Sequence, residues 1–114
     1  MASEARYFII NNNLQSACEI YVLDGPTHVE TSRRSLVKIP AGKVHHFDLS
    51  ALSDLKLELL HKVQAHVVSS AGGGAIDLTV LQFNPTSNKQ ARYHVNGTAE
   101  KPVITFKQLE DAHW

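Results

Sequence analysis

Between Leu55 and Val68 the chain alternates. The odd positions read Leu55, Leu57, Leu59, His61, Val63, Ala65 and Val67, and the even positions read Lys56, Glu58, Leu60, Lys62, Gln64, His66 and Val68. Successive side chains of a strand point to opposite faces of a sheet, so this pattern predicts one long strand with an apolar face and a wet face. A helix is the competing reading. Leu52, Leu55, Leu59, Leu60, Val63 and Val67 fall on one helical arc, Asp48 or Ser50 could cap it, and Gly72 could end it. That alternative gives an α+β fold with one helix at about residues 50–68. Lys56 intrudes on the arc while Leu57, Ala65 and Val68 fall on its wet side, so the strand template fits better.

The rest of the chain reads in the same way. Short runs suited to strands lie at Tyr7 to Ile10, Cys18 to Leu23, Leu36 to Ile39, Val44 to Leu49, Gln90 to Val95 and Val103 to Phe106, with a possible edge strand at Thr27 to Thr31. Asn11 to Asn13, Asp24-Gly25-Pro26, Pro40-Ala41-Gly42, Asn84-Pro85 and Asn96-Gly97 supply turn chemistry between them. Ile76 to Phe83 is long enough to fold back on the Leu55 strand as a hairpin across the Gly72-Gly73-Gly74 connector. Gln108 to Trp114 reads as a polar tail. Turn signals at about ten-residue spacing, with no linker, predict an all-β fold: a single antiparallel β-sandwich or jelly-roll-like domain spanning residues 1–114.

Charge narrows the partners. Eleven Lys and Arg balance eleven Asp and Glu, so no net field draws the chain to nucleic acid or to an acidic membrane. Balanced charge also removes long-range repulsion between copies and favours a homo-oligomer. The one cysteine, Cys18, excludes an internal disulfide, in keeping with a reducing compartment. Met1 to Arg6 lacks the basic-then-apolar order of a signal peptide and no apolar run reaches membrane-spanning length, so the expected location is cytoplasmic.

Seven histidines are the most abundant chemically versatile side chains here, and His45-His46 is their densest cluster. On an extended segment His45 and Phe47 face one way while His46 and Asp48 face the other, so a metal site needs a further ligand from another strand, such as His28, His66 or His94. Pro40-Ala41-Gly42-Lys43-Val44-His45 resembles the proline-x-glycine-x-x-histidine element of cupins, and Glu19 to Gly25 is similar to the stretch that follows a cupin's first metal ligands. The resemblance implies a small metal-dependent β-barrel enzyme in which Glu19 and His45 hold a divalent transition metal. Asn13 and Gln15 stand near the places where that family has histidines, and Leu49 where it has asparagine.

No nucleophile elbow, phosphate loop or carboxylate pair is spaced for catalysis, and the turns are rich in short amides, hydroxyls and carboxylates. Such groups, with an aromatic face, suit sugar recognition. The sequence therefore predicts a non-enzymatic, lectin-like binding module for a carbohydrate or protein ligand, without a cofactor. Its expected ligand residues are Asn13, Asp24, Asn84, Asn88, Tyr93 and Trp114, with His28, His45 and His46 as metal ligands under the enzymatic alternative.

Overall fold

The computed structural model of the chain describes residues 3–24, 33–51 and 59–112. Ten strands run through them: β1 (Ser3–Ala5), β2 (Tyr7–Asn12), β3 (Cys18–Asp24), β4 (Arg33–Ile39), β5 (Val44–Asp48), β6 (Lys62–Ser69), β7 (Gly74–Ile76), β8 (Leu81–Phe83), β9 (Lys89–Gly97) and β10 (Pro102–Asp111). A single 3-10 turn at Leu49–Ala51 is the helical content of the described residues. The fold is all-β, and a strand stands where the helical alternative required a coil through residues 62–68. Thr27 to Thr31 and positions 52–58 lie outside the described residues.

Six strands form one sheet in the order β1-β8-β6-β3-β4, with β7 also pairing to β6, and four form the other in the order β10-β9-β2-β5. Both sheets are mixed rather than purely antiparallel, because β1 runs parallel to β8 and β2 parallel to β9. Alternation tells which face of a strand is buried and says nothing of a partner's direction. The chain changes sheets at Arg6, so β2 enters between β5 and β9 with the polarity its partners leave to it.

Inward side chains of the two sheets make the core. Phe8 and Ile10 of β2, Ile20 and Val22 of β3, Val63, Ala65 and Val67 of β6, and Ala91, Tyr93 and Val95 of β9 are all at most 1% exposed. Burying a large aliphatic or aromatic side chain is worth about 1.5–3 kcal/mol, so this layer dominates the stability of the sandwich. The odd positions of β6 face inward as its alternation predicts.

The predicted Leu55 strand is shorter at its start. Leu59 and Leu60 form a turn in which Leu60 adopts a left-handed φ of 64°, a conformation that costs an ordinary residue about 1–2 kcal/mol. The Leu60 N–H donates to the Phe83 carbonyl at 2.6 Å and anchors this turn on β8. Its hairpin partner is split into β7 and β8. Between them the Asp77 carboxylate accepts from Thr79 N–H at 2.9 Å and from Phe106 N–H at 2.8 Å, and past Asp77, whose N–H still donates to the Ala65 carbonyl at 3.0 Å, residues 78–80 leave the ladder. The expected polar tail at Gln108 is instead the second half of β10, paired with β9 as far as Asp111–Lys89.

Arg6 pins the corner between the sheets. Its guanidinium grips the Asp48 carboxylate at 3.1 and 2.9 Å and donates to the Pro85 carbonyl at 3.2 Å. Those bonds hold the Asp48 carboxyl below the usual carboxylate range, aided by the Ser50 hydroxyl and N–H.

Candidate functional site

The registers place the finishing ends of β2, β4, β6 and β9 together at one end of the sandwich. The finishing ends of β3, β5, β8 and β10 lie at the other. Loops 13–17 and 98–101 leave from the first end, and a cleft of about 490 Å³ opens between residues 13–16 and 97–100. That volume falls within the range of about 300–1,000 Å³ typical of small-molecule sites.

One wall hangs on Asn12. Phe8, Ile10 and Asn12 share the inward face of β2, but Asn12 carries an amide, is 1% exposed and spends every polar atom on the loops around it. Its Nδ2 donates to the carbonyls of Ser16 at 3.0 Å, Ile39 at 3.0 Å and Pro40 at 3.2 Å, while its Oδ1 accepts from Leu14 N–H at 3.0 Å. Loop 13–16 is thereby tied to itself and to the turn that follows β4. The other wall is braced from the opposite sheet. The Ser69 hydroxyl donates to the Ala99 carbonyl, and Gly73 lies so close under Glu100 that a Cβ there would strike the Glu100 carbonyl oxygen. Thr98 and Lys101 close the β9–β10 turn through Thr98 N–H to Lys101 O at 3.3 Å and Lys101 N–H to Thr98 Oγ1 at 3.1 Å. Gly97 permits that turn: its φ is 91°, and an added Cβ would meet the Lys101 carbonyl. The reversal thus falls at residues 98–101, just beyond the Asn96-Gly97 pair expected to make it.

The walls meet at Asn13, whose Nδ2 donates to Asn96 Oδ1 at 3.1 Å. Ser16 lines the cleft, but its Oγ is buried behind that surface and has no hydrogen-bond partner among the described residues. A buried hydroxyl without a partner costs about 1–3 kcal/mol.

The structure separates the other expected ligand residues. Asp24 ends β3 at the far end of the sandwich, where exposed Asn88 and half-buried Asn84 also lie; Asn84 is engaged by Glu4 at 2.6 Å and caps Thr86. Tyr93 is 0% exposed, with its ring edge-on to Phe8 at 4.9 Å and to Phe106 at 5.7 Å, so it is a core residue and not a stacking surface. Burial holds its phenol well above the usual tyrosine range, and Asp77 adds to that. Trp114 and His28 lie outside the described residues. Of the expected ligand residues that are described, Asn13 lies at the cleft and the others do not. Asn12, Gln15, Ser16, Thr98 and Glu100 escaped the sequence reading because turn-forming residues and ligand-holding residues share one vocabulary.

The candidate metal ligands diverge. His45 and His46 project from opposite faces of the edge strand β5, His45 packing its ring 4.8 Å from Phe47. Glu19 belongs to the other sheet and accepts from the Tyr21 hydroxyl at 3.1 Å. Among the described residues no group of three or more histidine, cysteine or carboxylate side chains has the spacing of a metal site. Cys18 is buried, and burial pushes its thiol up to about 11, away from the reactive thiolate.

A two-sheet sandwich with a polar, loop-built cleft at one end is the class that the geometry defines. No protein family and no curated protein matches the chain. Among solved structures it is similar in fold to a candidate cell adhesion protein from Bacteroides ovatus ATCC 8483, with a TM-score of 0.53 and 11% identity over 96% of this chain and 45% of that one. A structure described as a trapped toxin aligns with a TM-score of 0.43 and 13% identity over 89% of this chain and 23% of that one. The chain thus spans less than half the length of either. No helix among the described residues is long and apolar enough to cross a membrane.

Proposed function

We propose that the chain is a non-catalytic, lectin-like binding module that takes the edge of a carbohydrate in the cleft between residues 13–16 and 97–100. The observation that carries the proposal is a cleft of about 490 Å³ lined by the polar residues Asn13, Gln15, Ser16 and Thr98, whose walls are held from behind by Asn12, Ser69 and Gly73. Walls fixed in advance do not have to be ordered on binding, which is where weak polar contacts otherwise lose their gain. Sugar hydroxyls both donate and accept, as do the amides and hydroxyls of Asn13, Gln15, Ser16 and Thr98. The fold shared with a candidate adhesion protein, in which such a sandwich is part of a longer chain, supports a role in recognition.

Assembly of several copies belongs to the proposal. One small cleft of this kind binds weakly, and linking clefts raises avidity by about 10²–10⁴ without a new contact. Balanced charge permits close approach of copies, and Leu78, 83% exposed, Val103 and Leu59 leave apolar surface to join.

The test is a broad glycan panel probed with the whole chain and with Asn13→Ala, alongside light scattering. The expected result is binding to a restricted set of glycans, about tenfold weaker for Asn13→Ala, by a particle larger than one chain. Silence across the panel contradicts the carbohydrate reading, and a monomer in solution contradicts the multivalent one.

A further inference from the structure

We infer that the cleft selects an amino sugar, a pyranose whose free ammonium group is directed at Glu100. The inference rests on the carbohydrate reading and adds to it the charge of the preferred ligand. Of the described residues that line the cleft, Glu100 is the only one with an ionisable side chain, and none is a cation. Among the described residues nothing pairs with its carboxylate, and it takes no part in the bonds that shape the turn. Lys101, next in sequence, serves the turn through its backbone, and its side chain is not part of the lining.

Glu100 sets the balance of the lining. The Asn13 amide has a second N–H and its carbonyl oxygen beyond the bond to Asn96, and the Gln15 amide and Thr98 hydroxyl likewise both donate and accept, whereas the carboxylate adds acceptors alone. A ligand rich in donors answers it. A neutral sugar satisfies part of that demand through hydroxyls. An ammonium group supplies three donors and a positive charge, and a bond between charged partners is roughly twice as strong as a neutral one. A uronic or sialic acid would bring a carboxylate against Glu100 with no cation in the lining to receive it. The backbone of Glu100 packs closely over Gly73, where any side chain would displace it, so Glu100 leaves the chain at a set point on the rim of the cleft.

The experiment titrates the whole chain with simple methyl glycosides in the gluco, galacto and manno series. Each series includes the parent sugar, the 2-amino sugar, its N-acetyl derivative and the uronic acid. The expected order places the 2-amino sugar about tenfold tighter than the parent and N-acetyl sugars, with the acid weakest. The gap should narrow as salt rises from about 0.01 to 1 M, as for any exposed ion pair. Glu100→Gln should abolish the preference, bringing the 2-amino sugar level with the parent sugar. Equal affinity for all forms, preference for the acid, or a preference that survives Glu100→Gln overturns the charge selection and leaves the carbohydrate reading standing. Failure of every glycoside to bind overturns both.

Discussion

Asn12 stands on the inward face of β2 where the pattern of Phe8 and Ile10 would place an apolar side chain, and that substitution explains the shape of the cleft. Three carbonyls and one N–H converge on it, so Asn12→Ala strands several buried or half-buried polar groups at once. The expected loss is about 3 kcal/mol in chemical denaturation, accompanied by weaker ligand binding although the residue touches no ligand. A loss below about 0.5 kcal/mol would mean that loop 13–16 is held by something else. Tyr93 is the opposite case. Its hydroxyl is buried in the core without a partner among the described residues, so Tyr93→Phe removes a desolvated polar atom and keeps the ring contacts. The variant should be as stable as the parent or up to about 1 kcal/mol more stable in the same measurement, and a clear destabilisation would show that the hydroxyl does find a partner.

Among the elements, the Arg6 corner and β10 carry charge pairs that acid will break. Asp48 is held below the ordinary carboxylate range by the Arg6 guanidinium, and Glu110 by Arg92 at 2.5 Å. A carboxyl lowered in the folded state adds stability above its unfolded value, near 4, and loses it as pH falls through the folded value. Denaturation midpoints should therefore be level above about pH 5 and fall below about pH 4. Both pairs are partly solvated, which limits each contribution to about 1 kcal/mol, and Asp48→Asn should remove part of the slope. A slope unchanged in that variant would place the acid sensitivity elsewhere. Sequence reasoning locates β2, β3, β6 and β9, each with one face in the core, because burial imposes the period of two, and turn residues on either side mark β4, β5 and the first half of β10. The second half of β10 was illegible for the same reason. It lies at a sheet edge, where Gln108 and Asp111 can be polar and still pair. The break between β7 and β8 was hidden in Asp77, whose carboxylate replaces ladder bonds with two of its own.

At the scale of the molecule, the two mixed sheets do one thing that no single element does: they bring loops 81 or more residues apart in sequence, 13–16 and 97–100, into one cleft. This is why nothing in the linear order of residues marks the site beyond Asn13. Its expected ligand residues were chosen by type, and the registers send Asn84 and Asn88 to the end opposite Asn13. The claim at the centre of the account is that recognition happens at the near end, between walls already in place. Titrating the isotopically labelled chain with the strongest sugar from the glycan panel and following backbone amide shifts tests it directly. The account predicts changes confined to residues 13–16 and 97–100, with the amides of β3 and β6 unmoved. Shifts centred on residues 84–88, or on the exposed faces of the sheets, would contradict it.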